Sequence, residues 1–322
     1  MLFFAALALV VVSCAAEETE PAGATSTTPA LSATTTTPTP GVDPAQVSLV
    51  YRLQEELWVD DANLGIEAYG PPRWRPGHNQ ITYGRHSDRT RAGIFLFEEI
   101  VLHDVATGEE SILLDIGDHG WSDAGHFDWD PAGTRLVFAA QAPGAFFQPH
   151  ILDVPSGRIT RLASRGQVID TVFTTDGRIL GIDTSRADDQ QELIAWVDED
   201  GGIAPISPSA GVNRDPVVSP DGRFVANIRA SNLLARVGIG RWDLIITDLT
   251  TGTEWVAGDG LDGFGPPRWI DSRTLVAKHA RYSTEGVVDG IPDVALVDAE
   301  TRSVTIRDDV AQGAWDPDPF FG

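Results

Sequence analysis

Cysteine is almost absent from this chain: one in 322 residues, at Cys14. A single thiol excludes an intramolecular disulfide and any thiolate zinc cluster. Positive charge is scarce too, with 23 Lys and Arg against 47 Asp and Glu and a formal net charge of −24. Neutralising phosphates needs a basic surface, so no nucleic-acid partner is expected, and simple electrostatic docking on anionic lipid is disfavoured. The apolar run at residues 1–13 falls short of the roughly 20 residues that span a bilayer. No stretch keeps a helical period. There is no Gly-x-Ser-x-Gly elbow, phosphate loop, dinucleotide fingerprint or His-Glu-x-x-His. No catalytic residue is nominated, and no cofactor is expected.

What is present is a repeat. Its clearest copy is Val217-Val218-Ser219-Pro220-Asp221-Gly222-Arg223-Phe224, where two apolar residues enter a turn and an alternating run leaves it. Gly accepts positive φ and Asp bonds its own backbone, so the phrase predicts a tight hairpin. Aligning Trp74, Trp129, Phe173, Val218, Trp269 and Trp315 gives steps of 55, 44, 45, 51 and 46 residues. Periods of roughly 40–50 residues belong to propeller blades of four strands each. Each blade's third strand closes on an aspartate: Asp104, Asp153, Asp198, Asp248 and Asp298. Hairpin geometry accounts for these carboxylates better than catalysis does. The expectation is an all-β propeller over 47–322, of six four-stranded blades with five as the alternative count. The last repeat is cut short after Trp315, so two N-terminal strands near Leu49 and Leu57 are expected to complete the sixth blade and close the ring.

These phrases resemble the TolB-type propeller repeat, a relative of the WD-type repeat, with its Trp-Ser-Pro-Asp-Gly turn and Asp-x-x-Thr-Gly hairpin. The resemblance covers about residues 71–319 and speaks for the fold, since propellers host unrelated activities. Upstream, Val11-Val12-Ser13-Cys14 resembles the lipobox of bacterial lipoproteins. It implies a signal peptide over 1–13, cleavage, and lipidation of Cys14. Residues 14–46 are Thr-, Pro- and Ala-rich and predict a disordered tether. The protein is therefore expected at a cell membrane, lipid-anchored on its extracytoplasmic face.

Propeller topology places the first-to-second and third-to-fourth strand turns on one face of the ring. The other face carries longer, more varied loops, where sites tend to sit. Arg85, His86, Arg229, His279 and Arg281 follow the second strands of three blades there. Converging guanidinium groups hold a carboxylate or phosphate bidentately, whereas pairing with nearby carboxylates would occupy them. His126, His150 and Asp215 complete the candidate ligand-binding set. His86, His119, His126, His150 and His279 could draw a metal together with Asp170 or Asp215, but no pair has tight ligand spacing, so none is expected. The expected role is a non-catalytic scaffold for an envelope protein or an acidic ligand. The alternatives are an envelope carbohydrate-active lyase or hydrolase, or an accessory subunit of a signalling or transport system.

Overall fold

The computed structural model describes residues 47–53, 55–86, 97–162, 168–185, 192–206, 211–230, 241–258, 260–283, 290–307, 310 and 315–319. All fall in one compact unit, Pro38–Gly322. Cys14, the leader and the expected tether lie outside the described residues.

The repeat phrase folds as anticipated. Ser219 N–H donates to the Phe224 carbonyl and Gly222 N–H to the Ser219 carbonyl, both at 2.8 Å. The Asp221 carboxylate accepts from Ser219 Oγ at 2.6 Å and from Arg223 N–H at 3.1 Å. Gly222 sits at φ 75°, a conformation that disfavours any Cβ. The aspartates that close third strands also shape turns. Asp104 accepts the Ala106 and Thr107 amides, and Asp298 those of Glu300 and Thr301. The Thr107 amide is the main reason that Asp104 lies below the usual carboxylate range.

Each hairpin extends into a four-stranded antiparallel sheet, and there are six. Blade I is β4 (Tyr69–Trp74), β5 (Gln80–Arg85), β6 (Glu99–Asp104) and β7 (Glu110–Asp115). Blade II is β8 (Asp123–Trp129), β9 (Arg135–Gln141), β10 (Gln148–Asp153) and β11 (Arg158–Arg161). Blade III is β12 (Val168–Phe173), β13 (Ile179–Asp183), β14 (Leu193–Val197) and β15 (Ile203–Pro205). Blade IV is β16 (Asn213–Val218), β17 (Phe224–Ala230), β18 (Trp242–Asp248) and β19 (Thr253–Val256). Blade V is β20 (Asp262–Trp269), β21 (Thr274–Arg281), β22 (Asp293–Asp298) and β23 (Val304–Arg307). Blade VI joins the chain's two ends: β24 (Trp315–Pro319) pairs with β1 (Leu49–Leu53), followed by β2 (Glu56–Val59) and β3 (Ala62–Glu67). The N-terminal contribution is thus three strands where two were expected.

The core is partitioned by this architecture. Six apolar clusters form, each drawing residues from two consecutive blades. Trp74, Trp129 and Trp269 are buried within them. The Trp129 indole N–H donates to Thr82 Oγ1 of the preceding blade at 2.9 Å, and Trp269 to the Val217 carbonyl at 3.3 Å. Arg75 of blade I lies 5.1 Å over the Trp129 ring, and Arg135 of blade II 5.1 Å over Phe173. The anchors therefore bind blade to blade.

Candidate functional site

The first strand of blades I to V loses register with its neighbour near its loop-face end: between Tyr69 and Arg73, Gly125 and Phe127, Ile169 and Val172, Arg214 and Val217, and Phe264 and Pro267. Such bulges re-aim side chains. In blades II, III and IV the bulge holds a non-glycine residue at positive φ: His126 at 24°, Asp170 at 50° and Asp215 at 50°. Few side chains tolerate that region, and residues held there cluster at functional sites.

The three side chains meet. His126 Nε2 lies 3.4 Å from Asp170 Oδ1, and its Nδ1 lies 3.3 Å from Asp215 Oδ1. The imidazole is 38% exposed, while the two carboxylates are 6% and 8% exposed. Asp170 is held from behind. Its Oδ2 accepts the Asp215 amide at 3.4 Å and lies 3.8 Å from Arg214 Nε, and Arg214 is itself bound to Glu192. One ligand atom from each of the three residues lies within 4.8 Å of the others, a geometry able to hold a metal ion.

Arg85, Arg229 and Arg281, expected just after the second strands, lie within the last residues of β5, β17 and β21, and each is engaged by carboxylates of its own blade. Arg85 donates to Glu99 at 2.8 Å and to Glu110 at 3.0 Å. Arg229 is bidentate to Glu254 at 2.7 and 2.9 Å, and its Nε donates to Asn213 Oδ1 at 3.2 Å. Asn213 is fully buried and also accepts from Asn227 at 2.9 Å, so a small amide network fixes this arginine. Arg281 donates to Asp262 Oδ1 at 2.6 Å, an oxygen it shares with His279 Nε2 at 3.0 Å.

The other imidazoles are placed differently. His86 tilts against Tyr69 with ring centroids 4.1 Å apart. His150 is buried between Trp121 and Phe138, and desolvation lowers its pKa to about 4, which leaves it neutral near pH 7. His119 stacks on Trp121 and helps to line a separate concavity of about 400 Å3 with Ile112, Leu114, Leu152 and Ile159. His126 and Asp215 are thus brought together with Asp170, whereas His86, His150 and His279 belong to other local packing. Glu99, Glu254 and Asp262 were not anticipated. In the sequence each is one polar residue within a strand or strand end, with no motif to mark it.

No protein-family model matches the sequence, and no curated protein matches it. Solved structures do. TolB from Acinetobacter baumannii matches with a TM-score of 0.60 at 16% identity, over 85% of this chain and 66% of that one. A protein assigned as TolB from Agrobacterium tumefaciens gives 0.56 at 15% identity, over 85% and 92%. A chain of a nidogen/laminin complex gives 0.55 at 8% identity, over 85% and 98%. The chain spans just under two thirds of the length of the Acinetobacter structure. At such identities the likeness concerns the fold alone.

Proposed function

Taking the scaffold as a TolB-like, six-bladed propeller, we propose that the chain is a non-catalytic binding protein, anchored through a lipid on Cys14 at the extracytoplasmic face of a membrane. Its mouth receives a segment of an envelope protein. One observation carries the binding reading: His126 is flanked on both ring nitrogens by carboxylates. A histidine that activates a nucleophile faces a hydroxyl or thiol. Here each ring nitrogen faces a carboxylate instead. Arg85, Arg229 and Arg281, at the ends of second strands in blades I, IV and V, are each ion-paired, so both donors and acceptors are present there. A peptide segment, which offers both, suits these groups better than a purely anionic ligand, which would compete with the resident carboxylates. The anchor reading is supported by the placement of the sole cysteine where the apolar run ends.

Two measurements test this. The full-length chain, cross-linked in envelopes, is expected to recover one stoichiometric protein, and an Arg229→Glu, Arg281→Glu variant that still folds is expected to lose it. Equal recovery with both, or release of new sugar ends from envelope polysaccharide, contradicts the proposal. Cys14→Ser is expected to move the protein from the membrane to the soluble fraction; a mature N-terminus found unmodified by mass spectrometry refutes the anchor.

A further inference from the structure

We propose that His126, Asp170 and Asp215 bind one divalent transition-metal ion of the zinc or manganese kind at the propeller mouth. The first reason is distance. An ion with bonds of about 2.1 Å holds ligand atoms no more than about 4.2 Å apart, and closer when they are not opposed. The three atoms already lie within 4.8 Å on the first strands of three consecutive blades, so a contraction of at most about 1.4 Å brings the widest pair to the roughly 3.4 Å of tetrahedral ligands.

The second reason is proton arithmetic at the ring. A neutral imidazole has one N–H, yet each nitrogen of His126 faces a carboxylate oxygen, at 3.4 and 3.3 Å. Without an ion the ring must either carry both protons or point one lone pair at a carboxylate. An ion shared by Nε2 and Asp170 Oδ1 removes that repulsion, while Nδ1 donates its proton to Asp215 Oδ1 and Asp215 ligates the ion through its other oxygen. Metal-bound histidines generally use their second nitrogen in this way.

The third reason is support. The Asp215 amide and Arg214, braced by Glu192, hold Asp170 Oδ2 and leave Oδ1 directed at the ring. Partners behind a ligand fix its orientation. The donor set, one imidazole and two carboxylates, suits a borderline ion better than calcium or magnesium, which favour oxygen alone. The His126 side chain is 38% exposed, so solvent reaches the cluster and water can complete the shell.

The competing state is an imidazolium pinned between two carboxylates, with no metal. Titration of the chelator-treated full-length chain in detergent with zinc, manganese and calcium chlorides separates the two. The expected result is one saturable zinc or manganese site, weakened about 100-fold or more in Asp170→Asn and Asp215→Asn, with calcium weaker than either. Should those variants unfold, X-ray absorption on the zinc-loaded wild type decides instead, with one imidazole in a nitrogen and oxygen shell expected. No saturable site, unchanged affinity in the folded variants, or a shell of several imidazoles overturns the proposal. Partner capture is read separately, so either result can fail without the other.

Discussion

At the scale of single residues, close approach and pairing decide what the mouth contains. A Cβ at Gly84 would collide with the Phe97 ring and come within 2.5 Å of the Tyr69 carbonyl. Phe97 is buried and bridges to Ala124, so it has nowhere to retreat. Gly84→Ala is accordingly expected to cost about 2–3 kcal/mol in a urea titration; a loss within experimental error would show that the site relaxes. The Arg229–Glu254 pair offers a different test. It is bidentate and half-buried, with side chains 18% and 29% exposed, so it should exceed an open surface pair. A double-mutant cycle through Arg229→Ala and Glu254→Ala is expected to return a coupling of about 1 kcal/mol. A coupling of zero would mean that the arginine is available to a ligand at no penalty.

Turns and strands show which elements the sequence discloses. At Gly222 an added Cβ meets nothing within 4 Å, but φ is 75°. Gly222→Ala should therefore lose only about 1–2 kcal/mol, from backbone strain, and the β16–β17 hairpin should show that loss as faster local hydrogen exchange. Protection equal to wild type would argue that the turn adopts another form. This turn was legible because Pro, Asp and Gly each have a local reason to be there. The strand β3 was not, since Ala62-Asn63-Leu64-Gly65-Ile66-Glu67 is half exposed on the outer edge of its blade and carries no anchor. The candidate site lay between these cases. His126, Asp170 and Asp215 are 44 and 45 residues apart (170−126 and 215−170), which is the repeat period itself. Ligands in phase with a fold form no short motif, so they surface only when the blades are placed side by side. The rim arginines were expected just after the second strands and lie at the ends of β5, β17 and β21, and their partners Glu99, Glu254 and Asp262 are 14, 25 and 19 residues away in other strands of the same blades.

Across the whole molecule, two aspartates tie the ring together, and their burial gives it a pH dependence. Asp318 on β24 accepts the Trp74 amide of blade I at 2.8 Å and lies 3.4 Å from Arg268 of blade V. Asp128 of blade II accepts the Phe173 amide of blade III at 3.0 Å and lies 3.7 Å from Arg73 of blade I. Burial pushes Asp128 up to about 7 and Asp318 up to about 6, against the pull of Arg73 on both. With folded values above the unfolded value of about 3.9, the native state binds the extra protons between these limits. The resulting stability is present at low pH and lost as pH rises through about 6 to 7. His150, lowered to about 4, acts in the opposite sense, losing stability as pH falls below about 6.5. The window from pH 6.5 to 8 therefore leaves Asp128 as the main contributor. The wild-type melting temperature is expected to fall by roughly 1–2 °C across it. In Asp128→Asn, which can still accept the Phe173 amide, the fall is expected to shrink by more than half. Parallel melting curves for the two proteins would show that Asp128 is already ionised in the folded ring, with Arg73 outweighing its burial.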